Sequence, residues 1–213
     1  MEEDIRGSRN GRPASLIERH RRINRIEVSI LYYGIYKSIR NSAWQCLLDF
    51  QLDKLPIDVL QIARAMGVRV IKNSLVNDLL PNENGKAYYD GQQWIIIYND
   101  QNPIELSRFT IAHELGHILL GHELTHVKYA EVKEFKIRPR SEQQADAFAI
   151  RLLCPACVLG GLELHTAEEI SAHCRIPEAL ATSRAKRMKE LYRRGKFLTD
   201  PLEEQLYRQF HFN

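Results

Sequence analysis

The chain has 213 residues, of which 44% are hydrophobic and 27% charged, and its formal net charge is +3. This ordinary globular composition fits one or two small domains and argues against a disordered or strongly basic chain. No apolar run is long enough to span a membrane and no signal peptide is apparent, so we expect a cytoplasmic protein without membrane contact. Four cysteines are too few for a disulfide framework.

The first 35 residues are rich in arginine and are interrupted by glycine and proline. Residues 1–25 hold seven Arg against four acidic residues. We expect a solvated tail here. A nucleic-acid-binding arm is the alternative, but no aromatic residue occurs before Tyr32.

Two helices and a small sheet are predicted next. The first helix covers about residues 36–50, and the second begins at Pro56 and ends near Gly67. Residues 68–71 alternate as a strand, and two further strands flank the strong hairpin turn Asp90-Gly91. An edge strand of this sheet could bind an extended peptide by β-addition, although the hairpin could equally serve only to cover the core.

A buried helix is predicted to follow and to end near Gly121. Asn102 is a suitable N-cap and Glu105 completes a capping box, with Pro103 at the first helical position. Gly116 is unfavourable inside a helix by about 1 kcal/mol relative to alanine. A close approach by another backbone or by a substrate would explain it.

The last turns of this helix contain the pattern His113-Glu114-Leu115-Gly116-His117. Residues four apart lie on one helical face, so His113 and His117 can reach the same divalent ion. Such an ion lowers the pKa of a bound water to about 7, and Glu114 can accept that proton. Two histidines and a glutamate satisfied within an apolar core are the competing interpretation, which costs more because three polar groups would need partners.

A catalytic zinc ion requires a third protein ligand. The extended pattern with a third histidine fails, because residue 123 is glutamate. His122 would require the helix to break, so Glu142 is the better candidate. A second helix is predicted around it, with Ser141 and Gln144 as a capping box, and Asp146 one turn further on could accept the outer N–H of a ligand histidine.

At these residues the chain resembles the ImmA/IrrE family of bacterial zinc metallopeptidases, over roughly residues 40–195. The segments that carry the resemblance are Phe109-Thr110-Ile111-Ala112, Glu142-x-x-Ala145-x-x-Phe148-Ala149, Leu152-Leu153-x-Pro155, Ala43-Trp44, Leu55-Pro56-Ile57-Asp58 and the strand from Trp94 to Asn99. Cys154 departs from the pattern, which has an apolar residue before that proline. The first 35 residues match no part of it.

The resemblance implies His113, His117 and Glu142 as ligands of Zn²⁺ and Glu114 as the base. It implies an α+β fold that is mainly helical with a short twisted sheet, like that of the gluzincins. Residues 36–160 would form the metallopeptidase domain, between the basic extension 1–35 and a helical appendage 161–213. ImmA-like members act as anti-repressors that cleave a helix-turn-helix repressor of a phage or mobile element, so such a repressor is the expected substrate.

Other questions stay open at the level of sequence. The second donor to the oxyanion is not identified, and the eligible residues are Tyr88, Tyr89, His122, His126 and Tyr129. Manganese or iron could replace zinc. A structural or redox site at Cys154 and Cys157 is disfavoured, because a second C-x-x-C pair is missing.

Two rival functions are weaker than a peptidase. One is an anti-repressor or antitoxin-like module that acts by binding alone, with a structural metal site. The other is a DNA-binding regulator that uses the helices predicted within residues 166–194. Direct nucleic-acid binding is not expected, because the turn between those helices lacks glycine and the chain is only weakly basic. The oligomeric state is not indicated.

Overall fold

A computed structural model describes residues 33–122 and 139–211, with the backbone alone at 33–37. The chain is α+β and mostly helical with a small mixed sheet, as expected from sequence. The elements in order are α1 (Tyr33–Asp49), α2 (Val59–Ala65), β1 (Arg69–Lys72), α3 (Asn73–Val76), β2 (Gly85–Tyr89), β3 (Trp94–Tyr98), α4 (Ile104–Leu120), α5 (Arg140–Leu153), α6 (Ala156–Gly161), α7 (Ala167–Cys174), α8 (Glu178–Arg193) and α9 (Pro201–Gln209). The N-terminal extension up to residue 32 lies outside the described residues.

The three described strands form one sheet in the order β1-β3-β2. The central strand β3 is paired on both sides and its three isoleucines are buried. It runs parallel to β1 and antiparallel to β2, with Gly85 opposite Tyr98. The predicted hairpin at Asp90-Gly91 is confirmed, since the Asp90 amide donates to the carbonyl of Gln93 at 3.1 Å. On its other side β2 is unpaired by any described strand.

Helix α4 lies between the sheet and α5, and α1 packs on α5. The core runs continuously through these layers because α4 and α5 each bury a run of apolar side chains. Phe148 and Leu152 of α5 are fully buried, as expected from sequence. Four polar residues of α4 are buried: Ser107, Thr110, Glu114 and His117. The two ionisable ones, Glu114 and His117, are the exceptions that need a chemical explanation.

Several helices begin at other residues than the sequence predicts. Helix α4 has Pro103 at its N-cap and no capping side chain, because the side chain of Asn102 instead donates from Nδ2 to Asn84 Oδ1 at 3.0 Å. Helix α5 likewise begins without a side-chain cap. Helix α2 begins after Asp58 rather than at Pro56, because the Asp58 carboxylate accepts hydrogen bonds from two backbone amides.

The C-terminal helices follow their sequence signals closely. The capping box of Thr166 and Glu169 is confirmed at the start of α7, and Asp200 caps α9. Helix α9 closes against α1, where Asp200 pairs with Arg40 at 2.6 Å. No helix in the described part of the chain is long and apolar enough to cross a membrane.

Candidate metal centre

Three ligand-type side chains converge between α4 and α5. His113 and His117 lie one turn apart on α4, and their Nε2 atoms are 3.0 Å apart. Glu142, in the first turn of α5, directs one carboxylate oxygen at each ring: Oε2 lies 3.2 Å from His113 Nε2 and Oε1 lies 3.1 Å from His117 Nε2. Within the described residues this is the one group of His, Cys, Asp and Glu side chains that could hold a metal ion.

The spacing of these atoms fits a tetrahedral ion. Zinc bonds nitrogen at about 2.0–2.1 Å, so two ligands at tetrahedral corners lie about 3.3 Å apart. The three separations between the ligand atoms, 3.0–3.2 Å, are close to that edge length. Two imidazole nitrogens and a carboxylate oxygen are also the donor set of many catalytic zinc sites, which leave the fourth position to water or substrate.

Close packing of the two helices makes the convergence possible. A Cβ placed on Gly116 would lie 3.3 Å from the Cα of Ala145 and 3.1 Å from the ring of Phe148. Any larger side chain at residue 116 would push α5 away from α4. The expected close approach of another backbone therefore explains this helical glycine, and the small side chain of Ala145 contributes to it from the α5 side.

Asp146 lies behind His113. Its Oδ1 is 2.9 Å from His113 Nδ1, so the ring can donate there and keep Nε2 directed at Glu142. Burial alone would lower the pKa of His113, but hydrogen bonds with Asp146 and Glu142 outweigh it and raise the pKa to about 9. Hydrogen bonds with the two histidines hold the pKa of Glu142 well below its usual range. In the metal-free chain the two carboxylates therefore favour a protonated His113, and a metal ion must displace that proton to bind.

Glu114 is 7% exposed and lies beside the start of β2. A Cβ on Gly85 would overlap the methyl group of Thr110 and lie 3.7 Å from Glu114 Oε1. Burial raises the pKa of Glu114, with the histidines opposing this effect. A raised pKa suits a group that must accept and release a proton near neutral pH. Gly85 was missed by sequence reasoning, which gave no information on what the strand would contact.

His122 was considered in sequence as a ligand or an oxyanion donor, and the structure shows it in neither position. Its Nδ1 lies 3.1 Å from His117 Nδ1, on the side of that ring opposite Glu142, and its Nε2 lies 3.0 Å from Gln144 Oε1. Burial and the neighbouring His117 lower the pKa of His122 to about 4. The ring is therefore neutral at physiological pH.

A family model described as the IrrE N-terminal-like domain, of the M78 peptidases, matches residues 63–186, which is more than half of the chain. The chain belongs to this family. No curated protein matches the chain. The match extends from α2 into α8 and includes all three converging side chains together with Glu114 and Asp146. The domain boundary predicted at residue 160 remains a prediction.

Two further residues considered as oxyanion donors lie on β2 of this IrrE-like domain. Gly85 and Ala87 face α4, so the alternation of the strand directs Tyr88 to the other face of the sheet. Tyr89 lies at the far end of the strand, where its ring packs 5.5 Å from that of Trp94. The remaining two candidates, His126 and Tyr129, lie outside the described residues.

The cysteines of the IrrE-like domain are buried free thiols. Cys154 and Cys157 are at most 1% exposed, and neither belongs to a metal-binding group within the described residues. Burial raises the pKa of the Cys157 thiol to about 12. These side chains therefore serve as small apolar groups at the junction of α5 and α6.

Proposed function

We propose that the protein is a zinc-dependent intracellular peptidase that hydrolyses a peptide bond in a protein substrate. The observation that carries the proposal is the convergence of His113, His117 and Glu142 at tetrahedral spacing, with the buried carboxyl of Glu114 next to them in the helix. Membership of a peptidase family supports the same reaction class. Zinc is the metal that this donor set favours.

The chemistry follows from the residues around the site. When bound, the ion supplies a Lewis acid that acidifies water and polarises the carbonyl to be attacked. Glu114 accepts a proton from the attacking water and then delivers it to the leaving amine, so its carboxylate is regenerated after each turnover. Asp146 holds His113 in the orientation that the ligand set requires.

The edge of β2 away from β3, which pairs with no strand of the described residues, offers a place for the substrate. Because β2 begins beside Glu114, a peptide paired with this edge would bring a backbone carbonyl close to the base. Because glycine has no side chain, Gly85 lets the start of β2 lie directly against α4, which supports substrate binding along this strand. Main-chain pairing of this kind requires the scissile segment to be extended, whatever its side chains.

We propose a helix-turn-helix repressor as the substrate, so that cleavage relieves repression. The support for this step is the resemblance to ImmA-like anti-repressors in the segments around α4 and α5. The rival is an anti-repressor that acts by binding alone. The buried carboxyl of Glu114 favours the enzyme. Glu114 is not one of the three ligands, and a purely structural metal site would have no use for it.

The experiment is incubation of the zinc-loaded protein with a purified helix-turn-helix repressor from a phage or mobile element of the same genome, followed by mass spectrometry of the fragments. We expect the wild type to cut the repressor and Glu114→Gln to lose about 10²- to 10⁴-fold in rate, the usual contribution of a general base. The matched control is Glu178→Gln, which neutralises an exposed glutamate at the start of α8 and should leave the rate unchanged.

Two outcomes would contradict the proposal in different ways. If wild type and Glu114→Gln abolish repressor function equally and neither cuts it, the protein acts by binding. If the wild type cuts an unstructured peptide mixture but not the repressor, the peptidase is retained and the substrate assignment is wrong.

A further inference from the structure

The chain turns sharply at the end of α4 and brings His122 back over His117. Gly121 has a φ of 69° and a ψ of 34°, a left-handed conformation that glycine adopts without steric cost. The amide of His122 donates to the carbonyl of His117 at 3.1 Å, and the amide of Gly121 donates to that of Ile118 at 3.2 Å. These two bonds define a Schellman motif, which fixes His122 relative to the last turn of the helix.

A second contact reaches His122 from α5. Gln144 directs Oε1 at His122 Nε2 over 3.0 Å. Gln144 lies two residues after Glu142, so the helix that supplies the carboxylate to the metal group also supports the far side of His117 through His122. The three side chains form a continuous row from α5 to the metal group.

One arrangement of protons satisfies this row. The amide oxygen of Gln144 only accepts, so His122 Nε2 must carry the proton, and the neutral ring then accepts at Nδ1. The facing Nδ1 of His117 must therefore be the donor. With its other proton held on Nδ1, His117 has an unprotonated Nε2 once the proton that Nε2 shares with Glu142 in the metal-free chain is released, and this is the form that binds a metal ion.

We propose that His122 is a positioning residue, which holds His117 through the Nδ1 contact in the tautomer and orientation needed for metal binding, with Gln144 fixing His122 in turn. This inference rests on the proposed metal site. It gives His117 the support that Asp146 gives His113, but with a neutral ring in place of a carboxylate. Outer contacts of this kind typically change metal affinity by 10- to 100-fold.

The test is a zinc competition titration against a chromophoric chelator, with no substrate present. We expect His122→Phe, which keeps a ring of similar size without an acceptor, to weaken zinc binding about 10- to 100-fold. His122→Gln restores an acceptor and should bind zinc more tightly than His122→Phe. The matched control is His173→Phe on α7, an exposed histidine outside the site, which should bind zinc as the wild type does.

Variants at Gln144 test the direction of the hydrogen bonds that run from His117 through His122 to Gln144. Gln144→Glu keeps an acceptor in every orientation and should retain zinc binding, whereas Gln144→Lys offers only donors and should weaken it. These variants also decide the matter if His122→Phe fails to fold. Zinc binding by His122→Phe or Gln144→Lys as tight as that of the wild type would overturn the proposal, as would an equal loss in His122→Gln and His122→Phe.

The readout separates this inference from the proposed function. A wild type that binds zinc tightly but cleaves nothing would count against the peptidase and leave the role of His122 to be decided by the affinities. Normal cleavage by a His122→Phe variant with unchanged zinc affinity would remove His122 from the site and leave the peptidase intact.

Discussion

Two glycines face phenyl rings in this structure, and the difference between them separates the metal end of the molecule from its C-terminal helices. A Cβ on Gly116 would lie 3.1 Å from Phe148, whereas a Cβ on Gly160 would lie 3.4 Å from Phe197, an ordinary contact. The first glycine is needed for the approach of α4 and α5. At the second glycine the nearest side-chain atoms, on Phe197 and Tyr192, lie at ordinary contact distance, so an added methyl group fits without moving α6.

Both regions bury ionisable side chains, but these side chains have different surroundings. The metal end buries Glu114 and His117 next to the metal group, and its helices α4 and α5 begin without side-chain caps. The C-terminal end buries Arg184 and Glu203, which bond to backbone groups. Of its helices, α7 and α9 begin with side-chain caps, whereas α6 and α8 do not. Buried ionisable groups therefore hold the backbone among the C-terminal helices, whereas at the metal end they lie where the chemistry is proposed.

The largest expected effect comes from removing the ring between the metal-bearing helices. Phe148 is fully buried, so Phe148→Ala should destabilise the fold by about 3–5 kcal/mol and weaken zinc binding as α5 shifts. Phe197→Ala should cost less, since its ring is half-buried, and should leave zinc affinity unchanged. Denaturant unfolding and chelator competition measure both. Equal zinc losses in the two variants would remove the distinction between the regions.

Arg184 tests a buried contact between the two regions. Its guanidinium donates to the carbonyl of Cys154, at the end of α5, with Nε at 3.0 Å. Arg184→Met should cost about 1–3 kcal/mol in the free energy of unfolding, because a buried carbonyl loses its donor. The exposed neighbour Arg187 provides the control, and Arg187→Met should change stability by no more than about 0.5 kcal/mol. Similar losses in both variants would show that charge, not the buried contact, matters.

Alanine substitutions at Gly160 and Gly116 should change the free energy of unfolding in opposite directions. Gly160→Ala should raise the free energy of unfolding by up to about 1 kcal/mol, the propensity gain of alanine. In Gly116→Ala that gain is outweighed by overpacking against Phe148, which costs about 1–3 kcal/mol, and zinc affinity should fall. Thermal unfolding with and without zinc measures both. Stabilisation by Gly116→Ala with full zinc affinity would contradict the close-approach argument.

The smallest expected signal is the reactivity of the thiols. Burial raises the pKa of Cys157 to about 12, and those of Cys46 and Cys154 are also raised. At a pH above about 8.5 the thiols of the unfolded chain lose their protons, whereas those of the folded chain keep them. The free energy of unfolding should therefore fall as the pH rises beyond that value. Alkylation at pH 8 should be slow for the native protein and fast after unfolding. Rapid native labelling of Cys157 would reopen the redox interpretation.

Much of the metal group could be predicted because it depends on local spacing. His113 and His117 are fixed by one helical turn, and Glu142 and Asp146 by another, so only the packing of two helices had to be inferred. The contact of Gly85 with α4 could not be predicted, since it depends on long-range placement of a strand. The position of His122 over His117 could not be predicted either, because it depends on the direction of the turn at Gly121. The start of α4 differed because Asn102 is used to hold Asn84 instead of capping the helix.

The ligand atoms come from two helices that are separate along the chain, with His117 on α4 and Glu142 on α5. An ion bound there acts as a cross-link that only the folded chain can form. Mass action then couples folding to metal supply: free ion at a thousand times its dissociation constant stabilises the folded state by about 4.1 kcal/mol. A cell short of the metal would hold less folded protein as well as less loaded protein, so the abundance of this chain would follow the metal.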